Sequence, residues 1–180
     1  MTNNTQNQNH IPPTYNAQDK LAPLETIVQW NINSYYKKLP DIHRIIANLH
    51  LLALCIQETN LKNQHKKPKL KNYHGYFKNQ DPLGRASGGV GIFVSSSTEH
   101  EQIPLTTPLE AIAIFIKTNY ITKLSICNVY ALDSTGLTLS DLKNLISQLS
   151  HPLMVISTFR NIIWGSYYTD RRGRTVEKLL

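Results

Sequence analysis

LLALCIQETNL, residues 51 to 61, is the stretch on which the fold turns. Its first part, LLALCIQ (51–57), carries no charge and is too short for a buried helix, so it reads as a strand covered on both faces. It breaks off in Glu58 and Thr59, where the chain leaves the core. Upstream, LPDIHRIIANLH (39–50) puts Ile42, Ile45, Ile46 and Leu49 at i, i+3, i+4 and i+7. That spacing predicts a helix with one buried face, and Pro40 suits the first helical position. TIVQWNI (26–32) before it reads as another strand. Downstream, residues 60–80 are polar and basic, and Gly84, Gly88, Gly89 and Gly91 lead through GGVGIFV into a further strand. AIAIFIKT (111–118) and KLSICNVYAL (123–132) form a strand pair with a tight turn near Asn119. Residues 138–149 form a helix with Leu142, Leu145, Ile146 and Leu149 on one face, and LMVIS (153–157) a buried strand. TDRRGRTVEKLL begins with Thr169 as N-cap of a last helix. Strands adjacent in sequence and mixed with helices predict an α/β fold, a mixed sheet covered by helices.

The chain of 180 residues is the size of one domain, residues 26–180, preceded by a polar tail over 1–25 that is too poor in apolar residues to order itself. No apolar run is long enough to span a bilayer, and the N-terminus lacks the basic start and apolar stretch of a secretory signal. No membrane association is expected, and the protein is expected inside the cell. Cys55 and Cys127 lie in apolar runs, as small buried hydrophobes do, without the spacing of a zinc site. A net charge of +7 favours polyanionic partners such as nucleic acid, without assigning a function.

Phosphodiester cleavage calls for a hard cation, which prefers one or two carboxylates, other oxygen ligands and retained waters. Glu58 is the acidic residue that directly follows a buried strand; alone, it reads as a surface glutamate at a strand end. Asn31, ending the first strand in QWNINS, alone reads as a turn residue. Tyr130 in NVYAL alone reads as a core or rim aromatic.

In this order the three residues resemble the endonuclease/exonuclease/phosphatase superfamily. More closely, QWNINS, LLALCIQETNL, RASGGVGIFV, ICNVYAL and WGSYYTDRRGR resemble the apurinic-type endonuclease domain of jockey-like non-LTR retrotransposons, over roughly residues 26–180. The resemblance implies a partial DNase I-like four-layer α/β sandwich with its second sheet incomplete. It implies that Asn31 and Glu58 hold Mg2+ (or Mn2+) or its water and that Tyr130 contacts the phosphate being cut. The implied reaction is hydrolytic nicking of one DNA strand. The partners it implies are DNA and, in the parent element, a reverse transcriptase domain in the same polyprotein; the domain would act as a monomer, in the nucleus if functional.

Two departures from the family bear on activity. Where relatives read GDFNAH, this chain reads ISTFRNIIWGS, so that with Phe159 aligned Thr158 replaces the aspartate, the asparagine is absent and about two residues are deleted. A threonine hydroxyl cannot serve as a carboxylate base near neutral pH. The family's C-terminal SDH motif is also missing, since none of His10, His43, His50, His65, His74, His100 and His151 sits in one. The C-terminal part of the domain is thus expected to be absent and its activity impaired or lost. The alternative is a catalytically dead nucleic-acid-binding remnant, with a superfamily phosphatase or lipid phosphodiesterase disfavoured by the WGS and TDRRGR strings and by the missing catalytic elements. For binding, Lys66, Lys67, Lys69 and Lys71 interleave with Tyr73, Tyr76 and Phe77, a composition for holding phosphates and stacking on bases, although a solvated loop is the favoured reading. Arg171, Arg172 and Arg174 could meet phosphate or simply keep the last helix soluble.

Overall fold

The computed structural model describes residues 25–62, 66–79, 88–131, 137–150 and 152–179. The polar tail before Glu25, Gly84, His10, His65 and His151 lie outside the described residues. Eight strands form two sheets: β1 (Ile27–Asn31), β2 (Ala53–Gln57), β3 (Tyr73–Lys78) and β4 (Val90–Ser95) in the order β1-β2-β4-β3, and β5 (His100–Ile103), β6 (Glu110–Ile116), β7 (Leu124–Tyr130) and β8 (Leu153–Ile156) in the order β5-β6-β7-β8. β1–β2 and β7–β8 pair in parallel and the other neighbours antiparallel. The helices are α1 (Tyr35–Leu49), α2 (Leu139–Ser147) and α3 (Arg171–Glu177), with a 3-10 turn at Ile162–Trp164.

Side-chain alternation along the strands builds the layers. Ala53, Cys55, Val90, Ile92 and Val94 point inward against Ile112, Ile114, Ile116 and Ile126 of the other sheet. The intervening Leu54, Ile56 and Phe93 pack with Ile42 of α1, while Ala111, Ala113, Cys127 and Val129 meet Leu142 and Leu145 of α2. An α/β/β/α sandwich with two partial sheets follows from that two-sided burial. Cys55 and Cys127 face different layers, and burial pushes both thiols up to about 12. No helix among the described residues is long and apolar enough to cross a membrane.

The structure corrects several expectations. α1 starts at Tyr35, so Pro40 sits inside it rather than at its first position. Its first amides are met by tertiary partners, Ser34 N–H donating to the Glu58 carbonyl at 2.8 Å and Tyr35 N–H to that of Thr59 at 2.9 Å. Leu49, the last residue of α1, is exposed and does not join the buried face. The basic stretch is not all loop: its second half is β3, where Phe77 packs edge-on against Phe93 over Gly91, at which a Cβ would come within 2.7 Å of the Phe77 ring. β5 is a strand the sequence reading did not foresee. β8 is not buried throughout, since it ends its sheet and leaves Met154 and Val155 exposed. α3 is capped by Asp170, whose carboxylate accepts from Gly173 N–H, and not by Thr169.

Candidate active site

The two sheets are joined through a polar clasp at their centre. Gln57 Nε2 donates to Asn128 Oδ1 at 2.5 Å, Asn128 Nδ2 donates to the Ile56 and Gly91 carbonyls at 3.0 and 2.9 Å, and Gln29 Nε2 donates to Gln57 Oε1 at 2.9 Å. Gln57 and Asn128 are fully buried, and each polar atom used here has a partner, as buried groups require.

One step outward from this clasp, Asn31, Gln57 and Tyr130 end β1, β2 and β7, and Asn31 pairs with Gln57, which sets Glu58 just past the sheet. There Asn31 Nδ2 donates to Glu58 Oε1 at 2.8 Å, and Tyr130 Oη donates to the same oxygen at 3.1 Å. Three residues far apart in sequence thus meet on one carboxylate. Burial, then the charge of Glu58 and the hydrogen bond to it, push the Tyr130 phenol up to about 12. It stays a donor across the physiological range. The other Glu58 oxygen and the Asn31 amide oxygen are a hard-oxygen donor set, which suits a cation that keeps much of its water. Among the described residues no group of three His, Cys, Asp or Glu gathers to hold a metal.

The backbone beneath this carboxylate is strained. Asn33, Ser34, Glu58 and Asn60 all have positive φ, a conformation that costs a non-glycine residue roughly 1 kcal/mol or more. A glycine turn holds it: Gly88 O accepts from Asn60 N–H at 2.9 Å and Gly89 O from Thr59 N–H at 3.2 Å. Glu110 fastens that turn by accepting from Gly89 N–H at 2.5 Å, and a Cβ on Gly88 would strike its carboxylate. Burial raises the Glu110 pKa, against the opposing pull of the Gly89 amide and Lys78. Burial likewise lowers that of Lys78, against the pull of Glu110. Lys78 Nζ donates to the Leu109 carbonyl at 2.8 Å.

Glu110 and Lys78 are the residues that sequence reasoning missed. Glu110 stands opposite Tyr130 in the β6–β7 register, and Lys78 is in the row of Val90 and Gln57. Neither position carries a sequence signal beyond a single charge at a strand end. Thr158 lies two residues beyond Ile156, the partner of Asn128, and so at the same end of the sheet as Tyr130. It lines a cavity of about 650 Å3 with Gln29, Val155, Phe159 and Trp164.

A model of the endonuclease/exonuclease/phosphatase family matches residues 28–179. The chain belongs to that family. A probable RNA-directed DNA polymerase from transposon X-element of Drosophila melanogaster is 23% identical over 163 residues, covering 89% of this chain and 18% of that protein. The chain therefore spans under a fifth of the length of this relative. Among solved structures, the endonuclease domain of TRAS1, a telomere-specific non-LTR retrotransposon, superposes with a TM-score of 0.64 at 17% identity, covering 84% of this chain and 67% of that one. The 3′ phosphatase NExo from Neisseria, bound to a product DNA hairpin, gives 0.56 at 16% identity over 85% and 69%. These likenesses establish a DNase I-like fold for this family member.

The expected binding residues separate in space. Lys66, Lys67, Lys69 and Lys71 are exposed, but Lys71 borders a cavity with His50 and Ser95–Ser97, at the end of the sheet away from Glu58. The aromatics interleaved with them are used in packing, Tyr73 donating to the Leu51 carbonyl at 2.9 Å. Arg171 is exposed. Arg172 is turned inward, donating to Asp170 at 2.8 Å and to the Ala131 carbonyl at 2.6 Å and lying over the Phe159 ring. Instead of facing solvent, it ties the start of α3 to the residue after Tyr130. Despite the opposing cost of burial, the Gly173 amide and Arg172 hold the Asp170 carboxyl below its usual range. Asn161, two residues past Phe159, is fully buried: it donates to the Gly173 carbonyl and to Glu177 and accepts from Ile163 N–H. Its amide is spent on fastening the 3-10 turn to α3.

Proposed function

We propose that this chain is the DNA-nicking domain of a non-LTR retrotransposon, a divalent-metal-dependent phosphodiester endonuclease whose activity is impaired or lost. The observation that carries the reading is the Glu58 carboxylate held by Asn31 and Tyr130 where three strands end. Glu58 and the Asn31 amide oxygen would hold Mg2+ (or Mn2+), which when bound offsets phosphate charge and makes water more acidic. Tyr130, kept protonated, would turn its one O–H from Glu58 to a phosphate oxygen, and Glu110 keeps the turn beneath Glu58 in place. Thr158 explains the impairment, because a hydroxyl supplies neither the negative charge nor the proton acceptor of a carboxylate. In the parent element the domain would share a polyprotein with a reverse transcriptase and work in the nucleus.

Conversion of supercoiled plasmid to the nicked form in Mg2+, with EDTA and Glu58→Ala as controls, tests this reading. Slow nicking that vanishes in both controls is the expected result. Nicking that survives Glu58→Ala overturns the assignment of the site. A folded protein that binds DNA in a salt-dependent way without cutting it establishes the second reading, a dead nucleic-acid-binding remnant, which Thr158 favours.

A further inference from the structure

Five large apolar side chains stand in solvent within seven residues: Ile162, Ile163, Trp164, Tyr167 and Tyr168, with Tyr167 as open as in an extended chain. An exposed cluster of that size is unusual on a protein surface unless something binds to it. The segment is held from below. Ser166 N–H and Trp164 N–H donate to the Asn161 carbonyl, Trp164 Nε1 donates to the Phe159 carbonyl at 3.0 Å, and Ile162 N–H reaches Thr169 Oγ1. Asn161, fully buried, is fixed in turn to α3. The rings are therefore displayed on a fastened turn, which lowers the entropy cost of binding through them.

Toward solvent the charge around the rings is mostly positive, with Glu177 as the exposed exception. Arg160, Arg171 and Arg174 are exposed, with the Arg160 guanidinium lying 5.0 Å from the centre of the Tyr168 ring. The two carboxylates nearby are already engaged, Asp170 by Arg172 and the Gly173 amide, Glu177 by Asn161. Arg172 also bonds to the Ala131 carbonyl, so the display is anchored next to Tyr130. Flat rings interleaved with arginines that face solvent match one ligand chemistry: bases out of their stack, carried on a phosphate backbone.

We infer that the Ile162–Tyr168 turn is a stacking platform for unpaired bases of DNA beside the candidate site, with Arg171 and Arg174 on the flanking phosphates. This inference rests on the proposed DNA-directed function and specifies which form of DNA the site takes. The platform selects DNA that is already open, whereas a duplex must first lose the stacking that holds its bases together.

Fluorescence anisotropy with a labelled duplex and the same duplex carrying an unpaired stretch tests the platform, using the full chain without Mg2+. Tyr167→Ser with Tyr168→Ser removes exposed rings and gives up only the exposed Arg160 contact to Tyr168, so the urea midpoint should fall little. It is expected to weaken binding to the unpaired probe by roughly 5- to 150-fold per stacked base, with much less effect on the duplex. Arg171→Ala with Arg174→Ala is expected to weaken both probes and to lower the salt slope by nearly one for each phosphate that an arginine had neutralised. Equal affinity for the unpaired probe before and after removal of the tyrosines overturns the proposal. So does a change in sedimentation mass on removing them, which would assign the patch to self-association. Nicking that depends on Glu58 but ignores the tyrosines refutes the platform alone, and tyrosine-dependent binding without nicking keeps the platform while replacing residual cutting by the non-cutting reading of the site.

Discussion

Asn128→Ala removes the centre of the clasp between the sheets. Asn128 makes three hydrogen bonds, to Gln57 and to the Ile56 and Gly91 carbonyls, in a site closed to water. At about 1 kcal/mol net for each bond, the bonds alone amount to ~3 kcal/mol, and the Gln57 amide left buried without its acceptor adds about 1 kcal/mol or more. A loss of ~4 kcal/mol is a large part of the roughly 5–15 kcal/mol by which domains are stable. With a urea slope of about 2 kcal/mol/M, the unfolding midpoint should fall by ~2 M. The control is Gln57→Leu combined with Asn128→Leu, which removes donor and acceptor together; Gln29, being exposed, can turn to water. That pair should cost clearly less than Asn128→Ala. A midpoint for Asn128→Ala within ~0.5 M of the parent, or a double variant less stable than the single alanine, would refute the claim that satisfied polar groups hold the sheets in register.

Gly173→Ala drives a Cβ into the Arg160 carbonyl, so α3 must lift off the 3-10 turn, at a cost of about 1–3 kcal/mol in urea unfolding; an unchanged midpoint would contradict the close approach. The Tyr130 phenol is raised from its usual 10 to about 12, so its contribution to stability is complete below about pH 10 and disappears as pH rises through 12. Phenolate absorbance during alkaline titration should show a late-ionising class containing Tyr130 and Tyr35, and Tyr130→Phe should remove one member of it. Thr158→Asp restores an acid at the same end of the sheet as Tyr130 and should raise Mg2+-dependent plasmid nicking at least several-fold; no gain at undiminished stability argues against Thr158 as the degenerate position.

Much of the scaffold was legible because burial on both faces leaves a mark in the chain. LLALCIQ and GGVGIFV are strands that touch apolar neighbours above and below, so their composition alone reports their place. The capping box of α2, in which Thr138 and Asp141 bond reciprocally, is local too, though the sequence reading placed the helix by its leucines and not by this box. β3 and β5 were hidden because they are edge strands: YHGYFK and HEQI bury only part of each side chain and therefore keep polar residues that resemble a loop. The exposure of Met154 and Val155 was hidden for the opposite reason. Their composition is that of a core strand, and only the sheet order reveals that β8 has no neighbour on one side among the described strands.

For the site, the residues alone marked Glu58, where LLALCIQ breaks off into polar residues, whereas Asn31 and Tyr130 stood out only through the resemblance of QWNINS and NVYAL to the family. Tertiary structure alone decided that they converge on a single carboxylate oxygen, because β1, β2 and β7 come from two sheets whose relative placement depends on the Gln57–Asn128 clasp. It also decided that Glu110 and Lys78 belong beside them, while Lys71 lies at the far end and Arg172 points inward. A charge is the same letter wherever it stands; whether it faces a ligand or a carbonyl depends on contacts between residues far apart in the chain, and no local pattern records them.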